Sequence, residues 1–376
     1  AGHARGAQPA PGAAAVNVAF DMSPQYLGNK GAGRYTRELG AALSREDGVT
    51  LLRVGFSQPR TSSAMRNAER AARALISYPF EIGRQSSRAG ADLLHLPAPI
   101  APVRAPVPVV LTIHDMMPWR HPGDYGRVSL RRERAFTRRL ARSARRILVP
   151  SQFTRGEVIE HLDVDPGAVA VVPHGVDGRF RPHPAGLVER AHRFGIPPGP
   201  YVLWVGTPEP RKNAAALERA FRLVRREMGG AHLVMAGPWL ADPAFDGVIA
   251  ADDGVIRPGF VTDDELSQLY SEASCFVFPS RYEGFGLPLL EAMACGTPVI
   301  ASNTGAMPEV VGDAGLLVDP DDDAAIASTV TSVLSSPALA ADLRQRGLER
   351  AHEFTWAHAA ALTADQYRDV LGDDAR

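Results

Sequence analysis

The sequence predicts an α/β protein built of two doubly wound domains in tandem, and three observations carry that expectation. At 376 residues the chain exceeds what a single hydrophobic core ordinarily organises. Short apolar runs alternate with stretches of helical periodicity, the pattern of parallel sheets covered by helices on both faces. The alternation stops at Pro173-His174-Gly175-Val176-Asp177, where proline and glycine break both patterns, and restarts at Tyr201.

The first series comprises a strand-like run at 16–20, a helix-like stretch at 35–43, a strand at 51–56, a short strand at Leu93-Leu94-His95 and an apolar strand at 107–113. The second comprises strand 201–205, helix 217–227, strand 232–236, strand 255–256, helix 265–273 and strand 275–278. Ligands of such sheets bind outside the carboxyl ends of the strands, and two facing domains place the site in the cleft between them. Residues 1–15, rich in Ala, Gly and Pro and without the apolar centre of a secretory signal, read as a disordered leader.

Apolar residues make up 45% of the chain, an ordinary globular content, and no uninterrupted apolar run reaches the length of a membrane span. Cys275 sits in a strand-like run and Cys295 in a helix-like one, so a disulfide is not expected and a reducing, cytoplasmic setting fits. The net charge of -1 hides an asymmetry: through Asp177 there are 24 Lys plus Arg against 15 Asp plus Glu, and beyond it 17 against 27. A basic first half favours an anionic membrane surface or an anionic acceptor. Residues 127–146 hold nine arginines and one acid, Glu133, with Phe136, Leu140, Ala144 and Ile147 at helical spacing, which reads as a basic amphipathic helix. It is either a solvated helix whose apolar face joins the core, or a peripheral contact with the inner face of a membrane or a lipid-linked acceptor. Nucleic acid is disfavoured, because aromatic residues for base stacking are scarce there.

The chemistry concentrates between Phe278 and Pro298. An apolar strand ends in a turn carrying Gly284 and Gly286, and Leu289 to Ala294 has the composition of a helix start. Glycines let backbone approach a ligand, and the helix N-terminus offers unpaired N–H groups, which together outline an anion site. Glu283 and Glu291 repel phosphate but accept hydrogen bonds from hydroxyls, so a ligand with both parts, a nucleotide sugar, suits the pattern. After the strand ending at Val205 comes Gly206-Thr207-Pro208-Glu209-Pro210-Arg211-Lys212-Asn213, whose adjacent cations suit a diphosphate and can serve in place of a metal. Gly28-Asn29-Lys30-Gly31-Ala32-Gly33-Arg34 is a second glycine-bearing turn before a helix, without the spacing or the acidic residue of a dinucleotide fingerprint. His114 and Asp115 end the strand at 107–113, and no Gly-x-Ser-x-Gly elbow accompanies them to suggest a hydrolase.

The Phe278–Pro298 string resembles the signature of the retaining nucleotide-sugar glycosyltransferases of family four, and the resemblance continues through Asn303-Thr304-Gly305-Ala306-Met307-Pro308-Glu309. It covers residues 16–371, with its specific motifs between Gly206 and Asp319. The resemblance implies the GT-B fold: two doubly wound, Rossmann-like domains facing an interdomain cleft. The acceptor domain is then 16–173, the donor domain 174–356, and the terminal helix, 357–376, packs back on the first domain. It also implies site roles. Glu283 lies near the donor sugar hydroxyls, the N–H groups of Gly284, Phe285, Gly286 and Leu287 near sugar and phosphate, and Glu291 on the ribose. Gly206, Lys212 and Arg211 belong at the diphosphate, Gly31 and Gly33 in a loop closing on it, and His114 beside the donor sugar. Many members carry an arginine directly after the glycine at 206; here Thr207 stands there, so Arg211 either substitutes or points away, leaving the phosphate to Lys212.

Gly259-Phe260-Val261-Thr262-Asp263-Asp264-Glu265-Leu266, with Val261 among the donor-binding residues, looks closest to mannosyl- or rhamnosyl-type members, which favours a GDP-linked donor. The expected activity is transfer of a hexose to a hydroxyl of a glycan, lipid-linked or small-molecule acceptor, with retention and with neither metal nor other cofactor. An epimerase or phosphorylase of the same fold, and a noncatalytic nucleotide-sugar-binding protein, are the competing readings.

Overall fold

The structure, a computed structural model, describes residues 15–26, 30–55, 78–101, 103–183, 194–237 and 254–374. The leader expected over 1–15 lies outside them except for Ala15, as do Gly28, Asn29 and Phe56. The chain divides into two compact units: Ala1–Val149, Arg155–Val172 and Trp356–Arg376 form the first, and Pro150–Thr154 with Pro173–Thr355 the second.

The first unit holds a six-stranded sheet of β1 (Val16–Asp21), β2 (Val49–Val54), β3 (Leu93–Leu96), β4 (Val109–Thr112), β5 (Arg146–Val149) and β6 (Val169–Val171). Their order is β2-β1-β3-β4-β5-β6, with every pairing parallel. Because helices cover both faces, β3 and β4 are buried along their whole length and read as continuous apolar runs. Alternate residues feed two cores. Ala19, Leu94, Leu111 and Ile147 pack with Leu140 and Val158 on one face. Val18, Phe20, Leu93 and Val110 pack on the other against Tyr35 and Leu39 of α1 (Lys30–Leu43). Trp356, Ala360 and Tyr367, from the terminal helix (Trp356–Asp374), complete that second core.

The basic stretch is shorter as a helix than its spacing suggests. α2 runs Arg127–Ser143; Ala144 ends it in an extended conformation, and Ile147 belongs to β5. The apparent periodicity through Ala144 and Ile147 arises because an apolar strand follows the helix directly, so that Arg145 and Arg146 lie outside it. Leu140 and Ala141 face the core, while the guanidinium carbons of Arg134 and Arg138 lie 5.7 Å and 5.5 Å from the Trp119 ring centroid.

The second unit repeats the architecture with β7 (Tyr201–Val205), β8 (His232–Ala236), β9 (Val255–Gly259), β10 (Cys275–Phe278), β11 (Val299–Ser302) and β12 (Gly315–Val318), ordered β12-β11-β10-β7-β8-β9. The chain builds outward from β7 to β9, then returns to β10 at the other side of β7 and builds the opposite way. The loops after β7 and β10 therefore leave the sheet on opposite faces, opening a crevice at their carboxyl ends. Both charged motifs of the sequence, Gly206–Asn213 and Ser280–Gly286, lie in those loops. Three helices matter to the site: α3 (Ala214–Glu227), α4 (Asp263–Glu272) and α5 (Leu287–Ala294). α4 starts at a capping box, in which Thr262 Oγ1 accepts from Glu265 N and the Glu265 carboxylate accepts from Thr262 N. Cys275 and Cys295 are both free and buried.

Candidate functional site

At the switch point of the second sheet, two cations and a carboxylate converge. The loop after β7 tightens into a 3-10 turn, Pro210–Lys212, and Asn213 follows in the left-handed region at φ 53°. Asparagine tolerates that conformation better than most residues, and its Nδ2 donates to Pro320 O at 2.6 Å. The turn thus directs two consecutive side chains inward. Arg211 Nη1 and Lys212 Nζ both donate to Glu283 Oε1, at 2.9 Å and 2.6 Å. All three are largely shielded, with side-chain exposures of 16%, 11% and 13%.

Burial alone would raise the Glu283 pKa. The charges of Lys212 and Arg211, with the hydrogen bond from Lys212, outweigh it and hold the carboxyl below the usual carboxylate range. Arg211 bonds two carboxylates, Glu283 and Glu209. Its Nε donates to Glu209 Oε2 at 2.8 Å, and Thr207 Oγ1 donates to the other oxygen of Glu209. The ammonium of Lys212 also lies 4.8 Å from the Phe278 ring centroid.

The backbone around Glu283 is held by the string that follows β11. Ala306 N donates to Glu283 O at 3.1 Å, and a Cβ on Gly305, at φ +61°, would lie 3.0 Å from that same oxygen. Gly284 O accepts from Ser151 Oγ at 2.7 Å and Thr154 Oγ1 at 2.9 Å. Glu309 Oε1 accepts from Gln152 N at 2.9 Å. Ser151, Thr154, Asn213 and Glu209 thus shape the site; only their side-chain hydrogen-bonding character marked them in the sequence.

Phe285 is buried, its ring 5.0 Å from His174 and 5.9 Å from Phe354. Gly286 is the N-cap of α5 at φ 103°, a conformation that favours glycine, and Leu287 begins the helix. Glu291, the fifth residue of α5, is buried, and its Oε2 accepts from Tyr270 OH at 3.3 Å. Gly206 follows β7, its N donating to Ala236 O. Val261 is buried in the core between β9 and α4.

The remaining expected residues belong to the first unit. Gly31 and Gly33 lie in the first turn of α1 rather than in a loop, and a Cβ on Gly33 would come 3.2 Å from Gln25 Cα. That glycine serves the close approach of two chain segments. His114, beyond β4, has its Nε2 2.9 Å from Pro97 O. A carbonyl only accepts, so Nε2 carries the proton and the neutral ring keeps its lone pair at Nδ1. Burial lowers the His114 pKa to about 4, against a smaller opposing effect of the Pro97 bond. Asp115 Oδ1 accepts from Met117 N at 2.9 Å, capping the turn that follows. Among the described residues, no cluster of three or more His, Cys, Asp or Glu is placed to hold a metal ion, and no single helix is long and apolar enough to cross a membrane.

Two family models match the chain: one described as Glycosyltransferase Family 4 over residues 29–180, and one described as Glycosyl transferases group 1 over residues 199–336. The O-antigen chain mannosyltransferase B of Escherichia coli is 35% identical over 269 residues, covering 69% of this chain and 70% of the relative. A D-inositol 3-phosphate glycosyltransferase of Streptomyces bingchenggensis is 35% identical over 250 residues, covering 61% and 54%. Several other curated relatives are matched over 28% to 57% of their own length. The sucrose-phosphate synthase of Thermosynechococcus elongatus superposes with a TM-score of 0.75 at 21% identity, over 95% of this chain and all of that one. Anabaena HepE, solved in complex with UDP and glucose, gives 0.69 at 18% identity, covering 94% and 98%. At such identities the likeness bears on the fold.

Proposed function

This chain belongs to the family 4 glycosyltransferases, with the GT-B fold, and we propose that it moves a hexose, mannose in our reading, from a nucleotide-diphosphate sugar to a hydroxyl of a glycan, lipid-linked or small-molecule acceptor. The observation that carries the reading is the convergence of Arg211 and Lys212 on Glu283 at the switch point between β7 and β10. The mannosyltransferase among the relatives supports the choice of sugar, and a GDP-linked donor accompanies it.

In this reading the resting ion cluster is a placeholder for the donor. A diphosphate competes for Arg211 and Lys212, freeing the Glu283 carboxylate to accept hydrogen bonds from sugar hydroxyls. As the bond from the anomeric carbon to the phosphate oxygen breaks, negative charge grows on the departing diphosphate, and the two cations stabilise it more than they stabilise the ground state. The acceptor oxygen bonds to the anomeric carbon on the same face while its proton passes to a phosphate oxygen, which gives retention without a separate general base. The cations also make the reaction independent of a metal. Gly206 and the N–H groups from Gly284 to Leu287 hold the phosphates and sugar, Glu291 the ribose, and neutral His114 a sugar hydroxyl. The seven arginines of α2 are assigned to an anionic membrane face at which a lipid-linked acceptor resides. Absence of cosedimentation with phosphatidylglycerol vesicles at low salt would remove that assignment.

The test is release of GDP from GDP-mannose in EDTA with a mannose-terminated oligosaccharide, and NMR assignment of the product anomer. The α-linked product is expected, and Glu283→Gln should lower turnover about a hundredfold or more. An inverted product, or full turnover by the variant, contradicts the mechanism.

A further inference from the structure

In the first unit a row of buried polar side chains has no part in the reaction as derived. Tyr367 OH lies 2.5 Å from His95 Nδ1, His95 Nε2 lies 2.8 Å from Thr112 Oγ1, and Thr112 Oγ1 lies 3.0 Å from Tyr35 OH. The four residues come from the terminal helix, β3, β4 and α1, and none is more than 2% exposed. At its end the Tyr35 ring stands edge-on to His114, centroids 4.7 Å apart and planes at 78°. Tyr35 also meets Trp356 at 5.9 Å.

We propose that the row Tyr367–His95–Thr112–Tyr35 is a positioning device that sets the Tyr35 ring and, through it, the orientation of the His114 ring that keeps its Nε2–H on Pro97 O. A buried polar row of this kind is costly unless each member is satisfied, and satisfied it specifies a single arrangement. The row is satisfied in either direction: Tyr367 O–H donates to His95 Nδ1, His95 Nε2–H to Thr112 Oγ1 and the Thr112 hydroxyl to Tyr35 oxygen, or each bond reverses with the other His95 tautomer. Burial keeps the row uncharged, lowering the His95 pKa to about 3, with a smaller effect from His114, and raising those of Tyr35 and Tyr367. The terminal helix thereby becomes part of the support of a residue on the loop after β4, since Tyr367 anchors the far end of the row. These are positioning residues; the proposal rests on the assignment of His114 to the donor sugar only for its catalytic consequence.

The test uses the full chain labelled with nitrogen-15 in the histidine rings, the His114 signals being identified by their loss in His114→Ala. Wild type should show His114 as a single Nε2–H tautomer. Tyr35→Leu should give mixed tautomers or broadened His114 signals. Tyr35→Phe and Tyr367→Phe, each removing one hydroxyl and keeping the ring, should move the signals the same way but less, and these two decide if Tyr35→Leu does not fold. Unchanged His114 signals in both phenylalanine variants would overturn the proposal. Release of GDP from GDP-mannose separates the two claims: Tyr35→Leu should lower kcat about tenfold with KM changed less than about twofold. If His114→Ala turns over normally while the ring signals respond as expected, the positioning row stands and the donor-sugar role of His114 falls.

Discussion

The two six-stranded sheets share an architecture and differ in what their strand ends carry. Beyond β7 and β10 the second unit gathers ions, with Glu209, Arg211, Lys212 and Glu283 linked by charge-assisted hydrogen bonds. Within β3, at the end of β4 and on α1 the first unit gathers neutral groups, with His95, Thr112 and Tyr35 in one row and His114, just beyond β4, beside them. Burial acts on both, and the partners decide the outcome. Glu283 stays ionised because two cations offset its desolvation. At the histidines desolvation wins, over the opposing bond to Pro97 in the case of His114, and both rings stay neutral. A doubly wound sheet therefore does not dictate the electrostatics of its own crevice; a few loop residues do.

The largest effect should come from breaking the ionic side. Lys212→Ala removes one of the two charges facing the leaving diphosphate and should lower turnover about a thousandfold, the scale seen when one group stabilising transition-state charge is lost. A steady-state assay with GDP-mannose checks this, and a loss under tenfold would mean that Arg211 alone suffices.

The second prediction separates the two regions by pH. A histidine whose folded pKa is about 4 against 6.5 unfolded contributes stability that is fully present above pH 6.5 and lost as pH falls toward 4, up to roughly 3 kcal/mol. Glu283, also depressed on folding, contributes stability that persists down to its unfolded value near 4.5 and is lost below it. Thermal midpoints measured from pH 7.5 to 3.5 should thus decline in two stages. His95→Phe should flatten the upper stage and, because the folded pKa of His95 is about 3, also reduce the slope below pH 4.5; an unchanged upper slope would refute its assignment to the buried histidines.

The smallest effect concerns the helix that follows the ions. Gly286→Ala must hold φ near 103°, where a Cβ would also meet Leu289 at 3.2 Å, and should cost about 1–3 kcal/mol. Urea unfolding would show it, and a neutral result would mean that the turn relaxes freely.

What could be read from the sequence followed from local pattern. Strands β7, β8 and β10 are continuous apolar runs with clear ends, and their observed limits match the expected ones. β5 was hidden because Ile147 continued the helical spacing of the arginine-rich stretch before it. β11, buried along all of its four residues, follows α5 after only a short turn, so local pattern gives it no separate start. The pairing of Arg211 and Lys212 with Glu283, some 71 positions away, required the strand order, which local periodicity does not contain. The same holds more strongly for Tyr367 and His95, which are 272 positions apart. Glu209 is an ordinary loop acid in the sequence, and only the fold reveals that it orients Arg211.

The measurement that tests the central claim most directly is the thermal shift of wild type and Lys212→Ala with GDP, UDP, GDP-mannose and UDP-glucose, all in EDTA. The account predicts stabilisation of wild type by one nucleotide family, about 2.7 kcal/mol at a hundredfold excess over Kd, and its near loss in the variant. No shift of wild type with any of the four, or an equal shift in Lys212→Ala, would contradict the placement of the diphosphate at the Arg211–Lys212–Glu283 cluster.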